Sequence, residues 1–274
     1  MLNRTLIKNT IEKEIRNKSV IFLFIMTLIV MYLGGVLTNT LHNEIQESGL
    51  TNYLTNTSMT VVIWIIGLSA KFVAALISAN IFRSDLESGV ISQLLALPIK
   101  RSSYVLNRMI GGALLSFLYL VIILIFGMII LSSNDLMPVK DGIPFLGIAG
   151  SLIPHLLQII IIMFISCFFS LFFNKIGTLL MTLFYVMASI GTYVYIQNGS
   201  EIINGFNIFS ILRVIFYILL PRIGEVSGIS DMLTMGSTFD GDFLLSILFG
   251  FLHLIVTLSV WGLIFNYIFR KRSF

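Results

Sequence analysis

Three histidines, one cysteine and 13 carboxylates are the residues of this 274-residue chain that could ligate a metal, attack a carbonyl or move protons. Their spacing supports none of these chemistries. His42, His155 and His253 form no H-x-x-x-H or H-E-x-x-H pattern. Cys167 has no second cysteine with which to make a disulfide or a thiolate metal site, and in mid-run it reads as a small buried helix residue. No Asp or Glu interrupts the long apolar runs. A membrane-embedded protease or lipid-modifying transferase would need paired carboxylates, a nucleophile with its base, or a His/Glu cluster there. Asp240-Gly241-Asp242 has the composition of a turn and helix cap rather than of a cation site. No G-x-x-x-x-G-K-[ST] loop is present to cradle nucleotide phosphates.

Polar residues inside apolar runs are therefore the next candidates. Lys71 lies near the middle of one such run, where a charge costs at least about 2.5–3.5 kcal/mol and should not face lipid. Gly67, Lys71, Ala75 and Ser78 share a helical stripe whose small residues let a neighbour come close. Lys71 and Ser78 thus either line a pathway or dimer seam that favours an anionic substrate such as a lipid headgroup, or Lys71 is a structural lysine bonded to carbonyls or snorkelling. His155 with Gln158, and His253, read as interhelical hydrogen-bonders rather than as proton relays. Phe184, Tyr185, Tyr193 and Tyr195 are either a ladder for a sugar chain or, for Tyr193 and Tyr195, part of an outer interfacial belt.

The remaining chemistry is electrostatic and lies in Ser84 to Arg108, a charged, amphipathic segment between two apolar runs. Ser84 followed three residues later by Glu87 is a capping box, so the spacing predicts a helix that starts at Ser84 and ends at Pro98. Leu86, Val90, Ile91, Leu94 and Leu95 share one face of it, with Asp85, Glu87, Ser88 and Gln93 largely opposite. Such a helix at the membrane surface could seat in a cleft of a soluble motor and pass rigid-body movement to the spans, or pack on headgroups as an amphipathic loop.

The elements that position these residues follow from composition. The chain is 57% apolar and 11% charged with a mean hydropathy of +0.99, far from the soluble range of roughly a quarter charged residues. An all-α integral membrane protein with six spanning helices is expected, at Val20–Leu37, Met59–Phe82, Met109–Leu131, Phe145–Phe173, Ile176–Ile196 and Phe243–Phe269. A cytoplasmic N-terminus puts all of the 17 basic residues inside except Lys71, Lys140, Arg213 and Arg222, which places both termini in the cytoplasm of a multi-pass protein of the cell membrane. The net charge of +4 is therefore a matter of sidedness and not a nucleic-acid footprint.

Residues 1–18 read as a basic amphipathic helix on the cytoplasmic leaflet, with Ile7, Ile11 and Ile15 on one stripe. The apolar run that follows is too long for a signal peptide and lacks a cleavage site. Residues 197–242 form an external segment. Within it Phe206–Leu220 is too short to span, carries Arg213 at its centre and stops at Pro221, so an interfacial or re-entrant helix is expected. Pro154 should kink an overlong fourth span. No internal repeat is present, and the whole chain reads as one transmembrane domain, 1–274.

Glu87-Ser88-Gly89-Val90-Ile91, Leu94-Leu95, Pro98-Ile99, Arg101, Tyr104 and Arg108 resemble the E-x-G-[TV]-[IL], L-L-x-x-P-[IV]-x-R-x-x-[YF] and [KR] signature of ABC type-2 exporter permeases, here after the second of six spans. The terminal Phe269-Arg270-Lys271-Arg272 and the short external helices fit the same pattern, while Ser84-Asp85-Leu86-Glu87 stands where the family carries an acidic-basic pair. The resemblance implies a non-catalytic permease subunit of an ATP-driven exporter, whose coupling helix at 84–98 docks on a separate ATPase. The coupling residues would be Asp85, Glu87, Gly89, Leu94, Leu95, Pro98, Arg101, Tyr104 and Arg108. It implies no cofactor in this chain, ATP and magnesium on two ATPase subunits, and a second permease subunit as homodimer or heterodimer. A membrane scaffold driven by an ATPase without a translocated substrate is the alternative, because its coupling segment would look the same.

Overall fold

A computed structural model describes residues 3–46, 51–89, 101–133, 144–197, 208–234 and 241–271. In chain order these form α1 (Arg4–Ile15), α2 (Lys18–Gln46), α3 (Thr51–Glu87), α4 (Arg101–Ser133), α5 (Pro144–Ser170), α6 (Lys175–Gln197), α7 (Ile208–Leu219), α8 (Ile223–Thr234) and α9 (Gly241–Lys271). Six of them are long and apolar enough to cross a bilayer, with spanning portions Lys18–Leu37, Trp64–Glu87, Ser102–Ile130, Gly150–Ser170, Lys175–Ile196 and Ile247–Phe269. The protein is an all-α, six-span membrane protein, as its apolar runs require.

The packed centre is α3, sandwiched among α2, α4, α5 and α6. Its Val73, Ala74, Ala75 and Ile77 are almost fully enclosed, and Leu120, Ile123, Ile162 and Met163 of α4 and α5 close over them. Small residues set these distances. A Cβ on Gly112 would come within 2.4 Å of the Met163 methyl and 2.8 Å of the Ile81 Cδ1, so these two side chains occupy the space that the glycine leaves on α4. Cys167 is buried in this core. The outer helices α2 and α9 leave most of their apolar side chains exposed, as lipid-facing helices must.

Two expectations are corrected. The helix predicted to start at Ser84 does not start there, because α3 continues unbroken through Ser84 to Glu87. A capping box needs a break before its serine, and Ile81-Phe82-Arg83 contain no residue that would make one. Glu87 instead reaches back one turn to Arg83 (2.8 Å), and Ser88 donates its amide and hydroxyl to the Ser84 carbonyl (3.0 and 2.7 Å). Gly89, at φ 68°, takes the left-handed conformation that closes a helix end. The remainder of the predicted helix, including Leu94, Leu95 and Pro98, lies outside the described residues.

On α1 a second face, beside the isoleucine stripe, docks on the bundle. Leu6, Thr10 and Glu14 are buried against the bundle, whereas Ile7 and Ile11 are half-buried and Ile15 is exposed. Asn3 caps the helix, its side chain accepting from the amides of Thr5 and Leu6. Finally, α5 ends at Ser170, short of Phe173. A tight turn follows, and the Asn174 side chain accepts from the Gly177 amide to start α6.

Between the last two spans the expected short helix over 206–220 is α7, and a second helix, α8, follows the break at Pro221. Tyr217 and Arg222 both bond Glu225, and the Arg222 guanidinium lies 3.7 Å over the Tyr217 ring, so the corner is held by one carboxylate. Helix α8 packs on α5 and α6 through Ile223, Val226 and Ser230. Gly224 and Gly228 permit this approach. A Cβ on Gly224 would stand 2.4 Å from Tyr193 Cβ and 2.7 Å from the Ser189 carbonyl oxygen.

Candidate functional site

Two polar clusters are built into the bundle, and α3 contributes to both. The first joins α1, the end of α3 and the start of α4. Asp85, only 1% exposed, sits in the last turn of α3. Its Oδ2 meets Arg108 Nη2 at 2.7 Å and accepts from the Tyr104 hydroxyl at 2.5 Å, while its Oδ1 meets Lys13 Nζ at 2.9 Å. The same Lys13 ammonium donates to Ser84 Oγ (2.7 Å), and Arg108 Nη1 donates to Thr10 Oγ1 (2.8 Å). Two cations on one buried carboxylate satisfy the rule that interior charges are paired and hydrogen-bonded.

Next to it, Glu14 of α1 accepts from Asn80 Nδ2 through both oxygens (2.7 and 2.8 Å), and the Asn3 amide donates to Asn107 Oδ1 (2.7 Å). Burial raises the Glu14 carboxyl above its ordinary value, and the Asn80 bonds offset this only in part. A carboxyl with a raised folded pKa adds stability that is complete below its unfolded pKa and is lost as pH rises through the folded one. Glu14→Gln keeps an acceptor for Asn80 without a buried charge. We expect it to melt at or above the wild-type temperature at pH ~8 and to flatten the decline that wild type shows as pH rises above the ordinary carboxylate range, read by thermal unfolding in detergent.

The structure thus brings together Asp85, Tyr104 and Arg108 from the predicted coupling residues and holds all three inside the protein. Glu87 remains exposed on the surface, beside the Gly89 turn. Arg101 is the first residue of α4.

The second cluster surrounds Lys71, which is 6% exposed and donates to Ser227 Oγ of α8 at 2.9 Å. His155 of α5 shares a hydrogen bond of 2.8 Å with Ser230 of α8, and His253 of α9 shares one with the Ile218 carbonyl, also 2.8 Å. Both histidines are the interhelical bonders expected of them. Lys71, His155 and Ser227 line a cavity of about 310 Å³ whose other walls are mainly apolar. Ser78 is not on it. That serine is fully buried farther along α3 and donates to the Ala75 carbonyl (3.2 Å). The aromatics of α6 diverge rather than form a ladder: Phe184 is exposed, Tyr185 donates to the Pro221 carbonyl, Tyr193 lines the cavity and Tyr195 lies under the Arg213 guanidinium. Among the described residues, no group of three or more His, Cys, Asp or Glu could hold a metal ion.

Comparison with protein families gives a match over residues 6–189 to the profile described as ABC-2 family transporter protein. The chain belongs to the ABC-2 transporter family. The ABC-2 match begins at Leu6 within α1, covers the first four spans and reaches Ser189 within the fifth, so it includes the whole Asp85 cluster and Lys71, and it ends before α7, α8 and α9. As a member of this family the chain is a polytopic, non-catalytic transmembrane subunit. Comparison with curated proteins found no match.

Several residues of the ABC-2 subunit's clusters carry no signal of their own in the sequence. Thr10, Lys13, Glu14, Asn80 and Ser227 meet partners 66 to 156 residues away, and no local pattern reports such distances. One clue was available for Glu14: it repeats at i+4 and i+8 from Leu6 and Thr10, so a carboxylate shares the docking face of a basic helix.

Proposed function

We propose that this chain is the membrane-spanning permease subunit of an ATP-driven exporter, working as two permease subunits with two ATPase subunits that bind ATP and magnesium. Both termini face the cytoplasm, and residues 84–108 form the coupling region. The observation that carries this reading is the placement of Asp85. A single carboxylate ties together α1 and both helices that flank the 88–100 segment, so a push on that segment moves three elements as one body. Glu87, exposed where α3 ends, offers the carboxylate that meets the ATPase. Asp85, Tyr104 and Arg108 position the segment from within, and Leu94, Leu95, Pro98 and Arg101 belong to the contacting stretch. The cavity at Lys71 supports a substrate pathway and favours a transporter over a scaffold.

The test is a detergent pull-down of the full chain co-expressed with the ATPase encoded nearest to it. Wild type should recover the ATPase, and Glu87→Lys should reduce recovery roughly tenfold or more by placing a like charge where an opposite one docks. Gly89→Pro should act similarly, because proline cannot adopt the φ of 68° found there. Recovery that is absent for wild type, or equal for all three, would refute the coupling role.

A further inference from the structure

The cavity beside Lys71 has a polar end, an apolar body and a lateral mouth. Lys71 Nζ and Ser227 Oγ, 2.9 Å apart, form the polar end with His155 nearby. Mainly apolar residues of α3 and α6, with Tyr193 and the glycines Gly224 and Gly228 of α8, form the rest of the wall. The rim consists of side chains that are themselves exposed on the flank of the bundle: Trp64 at 56%, Leu68 at 43% and Met187 at 64%. The mouth therefore opens sideways, between α3 and α6, at the height of the spans. A freely water-soluble anion would have to cross hydrocarbon to enter there, whereas an amphiphile arrives with its tail already in the apolar phase. A volume of about 310 Å³ holds a head and part of a chain, at the lower end of ordinary ligand pockets.

We infer that this cavity binds an anionic amphiphile, a phosphate or carboxylate head on an acyl-like body, with Lys71 and Ser227 on the head. This deepens the exporter reading and rests on it for the step of transport, but binding itself can be measured without the ATPase. The required chemistry is shared by a membrane phospholipid and by a free amphiphile.

Trp64, on the rim, is the reporter. The purified full chain in dodecyl maltoside is titrated with dodecyl phosphate, and in phosphatidylcholine nanodiscs with phosphatidylglycerol, while tryptophan emission is followed. Wild type should show a saturable change that is missing in Trp64→Phe and with dodecanol as titrant. Lys71→Met should weaken it roughly ten- to hundredfold, the loss expected for a charge-assisted hydrogen bond. Lys71→Arg should restore most of it. If Lys71→Met does not fold, Gly191→Leu decides. Gly191 lines the cavity and a Cβ there meets nothing within 4 Å, so a leucine has room at the mouth without displacing the walls and should weaken the response at least tenfold. A response to both probes assigns a membrane lipid, and one to dodecyl phosphate alone assigns a free amphiphile. No saturable response to either, or an unchanged response in Lys71→Met or Gly191→Leu, overturns the inference. ATPase recovery measured on the same preparations separates the failures. Recovery without amphiphile binding removes only this inference, and binding without recovery removes only the exporter reading.

Discussion

Asp85→Ala is expected to destabilise the detergent-purified chain by about 3–5 kcal/mol, the cost of leaving a buried charge without its partner. Arg108 would lose its carboxylate with a side chain only 7% exposed, and Tyr104, 1% exposed, would lose the acceptor for its hydroxyl. Lys13 would suffer less, because 41% of its side chain reaches solvent. Asp85→Leu combined with Arg108→Met and Tyr104→Phe should recover most of the loss, since the apolar cluster leaves no buried charge or hydroxyl without a partner. The contrast is Lys8→Ala, which removes an exposed i,i+4 pair with Glu12 at 3.7 Å and should stay within about 0.5 kcal/mol. Thermal unfolding of the three variants beside the wild type, followed by circular dichroism, checks the set. An Asp85→Ala melt as mild as that of Lys8→Ala would show that the cluster does not hold the three helices together.

Gly111→Val should lift α1 off the bundle at a cost of about 1–3 kcal/mol. A Cβ at Gly111 would stand 2.8 Å from Thr10 Cβ and 3.1 Å from the Ile7 carbonyl oxygen, and neither atom is the free end of a side chain. Relief must come from movement of α1 itself, which would also part Thr10 from Arg108 and Glu14 from Asn80. Faster amide exchange along Arg4–Ile15, with α4 still protected, is the expected signature. Gly112 supplies an internal comparison, because a Cβ there meets only the ends of Met163 and Ile81, which can rotate away. Gly112→Ala should leave exchange in α1 unchanged.

The spans were legible because hydropathy over about 20 residues reports burial in lipid without reference to any partner. The histidines were legible for a related reason, since an imidazole in an apolar helix must find a bond wherever the fold places it. Lys71 was legible as a residue turned away from lipid, but its serine partner on α8 was not, because α8 is mildly amphipathic and follows a proline. The Asp85 cluster was hidden for a different reason. Ser84 and Glu87 satisfy the pattern of a helix start, and only the unbroken helix before them, seen in three dimensions, makes them its last turn. On α1 the isoleucine stripe dominated the pattern, while the docking face is read from Leu6, Thr10 and Glu14, whose polar members gain their meaning from Asn80 and Arg108.

Helix α3 runs without interruption from Thr51 to Glu87, with no proline within it and no glycine between Lys71 and Asp85. Those two residues lie roughly four turns and about 20 Å apart along one rod, on nearly the same side of it. A helix of that kind has no joint at which motion could be absorbed. Any tilt or twist imposed at the Asp85 end must arrive at the ammonium of Lys71 as a displacement of the same sense. The cavity and the Asp85 anchor are therefore geared together by the stiffness of a single element, and two flexible positions between them, Ala75→Gly with Ala79→Gly, would disengage one from the other while leaving each intact.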